Sequence, residues 1–236
     1  MQGTGNNRLI EQELSIRIFS DGFSFSTPQS QKEVRVEKGQ SFLKALEKAF
    51  AELVLLRPDY DEVNVMAAYP STRIPLDEFR SEEAQALYRL TFGQDSLTGM
   101  NMHYEMLPAL EVIEVFVLDQ KIEELILQYY PHATIHSYFG QLMNRTLPRD
   151  KRKTGTERRL YAHTGGGLLL VFAFQEGKLL FANSFEANTT ANQTYFLLYV
   201  WKTLGLNQHN DTLILLGQDR QMQTTLARYI TNIVCE

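Results

Sequence analysis

A histidine, a threonine and three glycines follow one another at His163, Thr164, Gly165, Gly166 and Gly167, and these residue types could hold an anion or a nucleotide. Glycine has no Cβ, so its backbone can turn sharply or approach a ligand closely. A neutral imidazole in a cleft can bind phosphate or move a proton. The alternative is structural: the glycines connect two strands and the histidine ends one of them. Glycine runs are weak motifs alone, so the pattern favours the structural interpretation.

The apolar segment 212–216 is typical of a strand, and Gly217 ends it with a turn. Asp21 offers a carboxylate, but it precedes Gly22 between alternating apolar segments. That arrangement is typical of a hairpin turn and explains the aspartate without a ligand. The glycine run 165–167 therefore remains as the candidate ligand loop.

The histidines give no metal-binding pattern. His132 and His136 could share one strand face, but no third ligand accompanies them at a suitable spacing. His103 and His209 are isolated in the sequence. We therefore predict no metal site.

A basic stretch between 144 and 159 could hold phosphate or an acidic partner. In a chain with a formal net charge of −5, a solvated loop is the favoured interpretation. Its cationic residues are Arg149, Lys151, Arg152, Lys153, Arg158 and Arg159.

The composition excludes several classes of protein. An acidic chain of 236 residues with a net charge of −5 argues against general binding to nucleic acid or to an anionic membrane, which needs positive charge. The one cysteine, Cys235, cannot form an internal disulfide, as is typical of a reducing cytoplasm. The sequence shows no signal-peptide layout and no apolar run of the roughly 18 residues needed to span a bilayer. We therefore predict a cytoplasmic protein.

The same order of elements is predicted twice, as three strands, a helix and a strand. The apolar run 168–174 lacks polar alternation and is predicted to be a strand buried on both faces. The first copy comprises strands 14–19, 22–27 and 33–37, a helix that begins after Ser41 and stops at Pro58, and strand 62–68. The second comprises strands 159–163, 168–174 and 178–185, helix 191–204 and strand 212–216.

The remaining segments give softer predictions. We expect a loop around Pro70 and Pro75, a helix capped by Ser81, two strands, and a helix capped by Asp119. The strands span 102–107 and 111–118, and a further strand and a short helix follow at 133–137 and 139–147. A loop is predicted over 144–159, and a last helix is predicted to run toward Cys235.

The doubled order, with a hairpin entered through a glycine turn, resembles the actin-like ATPase superfamily, which includes actin, heat-shock chaperone ATPases and sugar kinases. EVFVLD at 114–119 and YPHA at 130–133 look like the pilus-assembly and cell-division branch. SIRIFSDGFSFS at 15–26 and TLILLGQ at 212–218 resemble an uncharacterised bacterial family with this fold. The resemblance implies an α/β protein of two ribonuclease-H-like halves enclosing a nucleotide, with 1–110 as the first half, 111–157 as a connection and 158–236 as the second half.

The superfamily's phosphate-binding chemistry is only partly present. The family's first turn is Asp-any-Gly, but here Asp21-Gly22 is followed directly by Phe23. Its second turn begins with an aspartate that holds the water shell of magnesium, and His163 stands in that place. An imidazole cannot replace a carboxylate for this hard cation. The family's adenosine motif has two glycines, of which only Gly217 is kept.

The resemblance therefore predicts a degenerate nucleotide site in a non-catalytic protein that holds no cofactor and serves interaction with a protein partner. The remnant site would consist of His163, Thr164, Gly165, Gly166, Gly167, Gly217 and Gln218. The alternative is a nucleotide-binding protein or weak ATPase that uses these residues with ATP and magnesium. A sugar-kinase-like transferase is a third interpretation, for which the sequence offers no catalytic aspartate.

Overall fold

Three β-sheets with α-helices packed against them form the described part of the computed structural model, which covers residues 13–56, 60–151, 158–217 and 219–236. Two sheets have five strands each, and the third has three. The α/β class predicted from the sequence is confirmed. No helix in these ranges is both long and apolar enough to cross a membrane.

The first sheet has the strand order β3-β2-β1-β4-β8. Apolar residues of β1 and β2, among them Ile16, Ile18 and Phe23, are buried beneath α1, which begins where the Ser41 hydroxyl accepts a hydrogen bond from the Lys44 N–H. The predicted cap is therefore confirmed. The elements of this sheet that come first in the chain are β1 Glu13–Phe19, β2 Gly22–Ser26, β3 Gln31–Arg35, α1 Phe42–Glu52 and β4 Glu62–Ala67.

An insertion after β4 forms the three-stranded sheet, in the order β5-β7-β6. It contains β5 Ser71–Pro75, α2 Ser81–Phe92, β6 Met100–Leu107 and β7 Val112–Asp119. The predicted loop around Pro70 and Pro75 is wrong, because residues between the two prolines pair with β7 as an edge strand. Helix α2 is confirmed, but its N-cap is Arg80 rather than Ser81.

The chain then returns to the first sheet. Asp119 caps α3 Gln120–Tyr129 by accepting hydrogen bonds from the Lys121 and Ile122 N–H groups, as predicted. Strand β8 Thr134–Ser137 pairs in parallel with β4. This strand lies in the stretch that we expected to connect the two halves, and it forms an edge of the first sheet.

Helix α4 spans Tyr138–Lys151 and contains Pro148 in its interior. The loop predicted from residue 144 is therefore wrong up to Lys151, and residues 152–157 lie outside the described part. Proline removes one backbone hydrogen bond from a helix. Burial of Leu142, Met143 and Leu147 in the core between the halves favours the helix despite that loss.

The second five-stranded sheet has the order β11-β10-β9-β12-β13, which matches the first sheet strand for strand. Strand β10 is buried along Leu168 to Phe174, as its continuous apolar run predicted. The doubled order of three strands, a helix and a strand is confirmed. The elements are β9 Arg159–Gly165, β10 Leu168–Gln175, β11 Lys178–Glu186, α5 Thr190–Thr203, β12 Thr212–Leu215, α6 Arg220–Leu226 and β13 Asn232–Cys235.

The C-terminal prediction of one continuous helix is wrong. Helix α6 ends at Leu226, and β13 pairs in parallel with β12. Met222, Leu226 and Ile230 are buried at helical spacing, which explains the prediction. The strand was missed because its four residues form an edge that pairs with β12, a contact that the local pattern does not show.

Candidate functional site

The glycine run forms a tight hairpin turn between β9 and β10. Gly165 is still part of β9 and pairs with Leu168, so the turn itself consists of Gly166 and Gly167. Their φ angles are +57° and +74°, a left-handed conformation that glycine adopts without strain. The glycines are therefore required by the turn itself.

This turn touches the hairpin that joins β1 to β2 in the first half. The Ser20 hydroxyl donates a hydrogen bond to the carbonyl oxygen of Gly166 at 2.6 Å. A Cβ added to Gly166 would lie 2.8 Å from the Cβ of Phe19. The two turns that correspond to phosphate-binding turns in the resemblance are in direct contact.

The first hairpin turn consists of the two residues between the predicted strands 14–19 and 22–27. Phe19 pairs with Gly22, so Ser20 and Asp21 form the turn and Gly22 belongs to β2. An added Cβ at Gly22 would meet the backbone carbonyl oxygen of Val34, which explains why glycine is needed there. The predicted hairpin is confirmed, and the glycine serves close approach of β3 rather than the turn.

The His163 imidazole is held at both nitrogens. Nδ1 lies 2.6 Å from the Leu216 carbonyl oxygen, which can only accept, so Nδ1 must carry the proton and donate it. In the neutral ring Nε2 is then an acceptor, and the Tyr138 hydroxyl donates to it at 2.9 Å. The pKa of His163 is lowered chiefly by burial and further by the charges of Arg145 and Arg17, against the effect of the Leu216 hydrogen bond.

Tyr138, the first residue of α4, completes this arrangement. Its ring packs edge-on against Phe19 with the ring centroids 5.7 Å apart. Burial raises the pKa of the Tyr138 hydroxyl, so the group is a neutral donor near neutral pH. Sequence reasoning missed this residue, because no spacing in the chain connects it with His163.

A cavity of about 260 Å³ lies on the other side of His163. It is lined by Ala162, His163, Thr164, Leu215, Leu216, Gly217, Asp219, Arg220 and Met222. Gly217 has a φ of +118° and donates its N–H to the carbonyl oxygen of Glu236 at 2.8 Å. Gln218, the other residue predicted for this turn, lies outside the described part.

Asp219 is a carboxylate at this cavity that sequence reasoning did not select. One of its oxygens accepts from the Met222 N–H at 2.9 Å and caps α6, and the other lies 3.3 Å from the Thr164 hydroxyl. The only sequence signal for it was a capping residue before the apolar positions of α6. Its polar contacts hold the helix and the strand together.

The predicted site residues are therefore divided between two places. His163, Thr164 and Gly217 line one cavity. Gly166 faces Phe19 of the first hairpin instead, and a Cβ on Gly167 would meet the side-chain oxygen of Asn188, which lies between β11 and α5.

Magnesium with ATP, which the fold family implies, does not fit the groups present. Hydrated magnesium prefers carboxylate oxygens. Both nitrogens of His163 are hydrogen-bonded, and the Asp219 carboxylate is engaged by α6 and Thr164. The described ranges contain no group of three or more histidine, cysteine, aspartate or glutamate residues that could hold a metal ion.

A buried ion pair joins the inserted sheet to the second half. The Arg73 guanidinium donates to both oxygens of Glu114 at 2.8 and 2.9 Å and to the carbonyl oxygen of Ala182 on β11 at 3.3 Å. It also lies 4.1 Å from the centre of the Phe139 ring on α4. Side-chain exposure is 10% for Arg73 and 0% for Glu114, so this contact is part of the core between the halves.

Comparison with solved structures confirms the resemblance in fold. A protein of unknown function with an actin-like ATPase fold from Bacteroides thetaiotaomicron is similar at a TM-score of 0.85 and 28% identity, over 100% of this chain and 94% of that chain. A chain of the PilM-PilN type IV pilus biogenesis complex is similar at a TM-score of 0.60 and 13% identity, over 95% and 88% of the two chains. No curated protein matches the sequence.

These comparisons establish the fold, while the family follows from the sequence match. The model of the family described as "Protein of unknown function (DUF3822)" matches residues 6–233, nearly the whole chain. The protein therefore belongs to the DUF3822 family and has the actin-like ATPase fold.

Proposed function

We propose that this protein is a non-catalytic member of the actin-like fold, with a degenerate nucleotide site, whose fold serves interaction with another protein. The observation that carries the proposal is the contact between the two hairpin turns. The Ser20 hydroxyl is 2.6 Å from the Gly166 carbonyl oxygen, so the space where phosphates would lie between the turns is closed. A phosphate there would have to separate the two turns.

The state of His163 supports the same conclusion. A histidine that donates to Leu216 and accepts from Tyr138 has no free nitrogen for a metal ion or a proton transfer. A hydrogen bond of the buried Arg73 supports it too, because opening the cleft would pull this guanidinium away from the Ala182 carbonyl oxygen in the second half. Leaving a buried polar group without its hydrogen-bond partner costs free energy.

Interaction with a protein is supported by the fold comparison. A similar chain was solved as part of a PilM-PilN complex, in which it is assembled with another protein. The likeness to the Bacteroides thetaiotaomicron protein supports a bacterial source, and the single cysteine supports a cytoplasmic location.

The test combines hydrolysis with thermal unfolding. We expect no magnesium-dependent ATP hydrolysis above background and no shift of the melting temperature with ATP and magnesium. A ligand at a hundredfold excess over its dissociation constant would add about 2.7 kcal/mol of stability and be readily seen. Hydrolysis that is lost in His163→Ala would overturn the proposal.

The second candidate function is nucleotide binding in the cavity beside His163. The cavity of about 260 Å³ next to the positive-φ turn at Gly217 favours it, since glycine at such a turn allows close approach of a ligand. A Thr164→Phe substitution would fill this cavity from its half-buried wall. Thermal stabilisation by ATP in the wild type that disappears in Thr164→Phe would make nucleotide binding the leading function.

A further inference from the structure

Two secondary-structure elements bring arginine side chains together beside Tyr138 and His163. Arg17 lies on β1 two residues before Phe19, so both side chains project from the same face of the strand. Phe19 packs against the Tyr138 ring with centroids 5.7 Å apart. Arg145 follows Tyr138 by two turns of α4 and therefore lies on the same side of that helix.

Arg149 extends this group by one more turn of α4. Arg145 and Arg149 are four residues apart, which places them about 6 Å apart along the helix axis. Both are exposed, whereas Arg17 is half-buried. We call Arg17, Arg145 and Arg149 the arginine surface.

The arginine surface is not neutralised by the protein. In the described ranges none of its three members forms an ion pair with an acidic side chain. Other members of the basic stretch are compensated: Arg158 pairs with Asp211 at 3.0 Å and Arg159 with Asp150 at 3.7 Å. Burial raises the pKa of Tyr138 and lowers that of His163, and the positive charges of Arg17 and Arg145 act to lower the pKa of both residues. Positive charge is therefore left uncompensated at one place in a chain of net charge −5.

The geometry points to an occupant that carries several negative charges along its length. A single phosphate can contact one or two guanidinium groups, while this surface spreads its charge over a strand and two helical turns. An extended peptide advances roughly 3.3 Å per residue and its side chains alternate in direction, so every second carboxylate, at a spacing of roughly 6.6 Å, could face successive arginines. A long polyanion such as nucleic acid would also meet the negative remainder of the protein.

We propose that the arginine surface docks an acidic, carboxylate-rich segment of a partner protein. This inference rests on the proposed function, because it names the chemistry of the partner that the non-catalytic fold would bind.

The experiment measures binding of fluorescein-labelled octaglutamate by fluorescence anisotropy at about 20 mM salt, where exposed charges act over the longest range. We expect the double variant Arg145→Gln/Arg149→Gln to bind about tenfold more weakly, as expected for the loss of two partly exposed charge pairs. Arg17→Gln should weaken binding as well. The matched control is Arg89→Gln/Arg228→Gln, which removes two exposed arginines elsewhere and should bind like the wild type.

A second measurement locates the peptide. Carboxylates beside Arg17 and Arg145 would offset the positive field at His163, so its NMR-monitored pKa should rise on saturation with octaglutamate. No binding, or equal weakening in the control variant, would overturn the inference. So would binding of inorganic pyrophosphate in place of the peptide, which would make this a small-anion site. Stabilisation by ATP with magnesium would instead contradict the proposed function. The peptide-binding result would then still decide whether the arginine surface binds carboxylates.

Discussion

The two five-stranded sheets share one strand order but fill the space beside their edge strands differently. In the second half Phe185 on β11 stacks on Phe196 of α5, with ring centroids 4.7 Å apart. In the first half the corresponding strand and helix present Val34, Ala45 and Ala49, and a groove of about 210 Å³ remains. Strand order depends on backbone pairing, whereas packing depends on which positions carry bulky side chains, so one topology accommodates both solutions.

The two hairpin turns differ as well, and their difference makes the contact between the halves possible. The turn residues Ser20 and Asp21 keep negative φ angles, while Gly166 and Gly167 have positive ones. Because Gly166 has no side chain, Phe19 can lie against its backbone and Ser20 can reach its carbonyl oxygen. The asymmetry between the turns therefore allows the two turns to touch.

The largest loss of stability is expected at the inserted sheet of the first half, at the place where it contacts the second half. Glu114→Ala leaves the buried Arg73 without its ion-pair partner, and we expect the free energy of unfolding to fall by about 3 to 5 kcal/mol. Urea denaturation measures this change. The control is Glu111→Ala, whose pair with Lys178 is exposed and should contribute at most about 1 kcal/mol. Equal losses in the two variants would show that the buried pair does not hold the halves together.

The next effect concerns the contact between the turns. Gly166→Ala places a Cβ at positive φ and against Phe19, and we expect a loss of about 2 to 3 kcal/mol in the free energy of unfolding. Gly205→Ala is the control, because its φ of +62° is similar and its added Cβ meets nothing within 4 Å. It should cost about 1 kcal/mol.

A double-mutant cycle with Phe19→Ala separates the contact with the Phe19 ring from the backbone strain. If the ring contributes to the excess loss, Gly166→Ala should cost less in the Phe19→Ala background than in the wild type, while the Cβ that alanine retains keeps part of the contact. The same full cost in both backgrounds would mean that the turns do not press on each other.

The smallest expected effect is a difference in the pH dependence of stability between two histidines, one in each half. The pKa of His136 on β8 is raised, mainly by its 2.6 Å hydrogen bond with Glu105, whereas burial lowers the pKa of His163 on β9. His136 therefore adds stability that is fully present below its unfolded pKa and is lost as pH rises through its folded pKa. His163 does the opposite: stability falls as pH drops below about 6.5, because the unfolded state binds the proton more readily.

Urea denaturation between about pH 8 and pH 5 tests these signs, with slopes of at most about 1.4 kcal/mol per pH unit for each residue. Relative to wild type, His163→Gln should gain stability on acidification and His136→Gln should lose it. Parallel pH profiles for the two variants and the wild type would contradict both assignments.

Much of the fold could be predicted from local patterns. The buried strand β10, the caps at Ser41 and Asp119, and the doubled element order are written in short stretches of chain and are confirmed. The wrong predictions concern edges and long-range packing. Strand β5 is an edge strand with little apolar pattern, and β13 is an edge strand that directly follows apolar residues at helical spacing. Helix α4 continues through Pro148 because its other face is buried between the halves.

The candidate site was predictable only in part. The sequence selected His163 and the glycines, but it could not show that Tyr138 and Leu216 would occupy both imidazole nitrogens. It selected the basic stretch as one group, whereas Arg158 and Arg159 form ion pairs and Arg149 forms none with the residues that the structure describes. Distances across two sheets are not encoded in local spacing.

By itself, the sequence determined which segments become strands and helices. It also determined that the nucleotide turns depart from the family pattern. Both properties depend on residue types within a few positions. Only the tertiary structure decided that Ser20 meets Gly166, that Arg73 reaches the second half, and that Phe19 on β1 packs against Tyr138 on α4. These contacts join residues up to 146 positions apart, and they form only when both sheets have folded and packed.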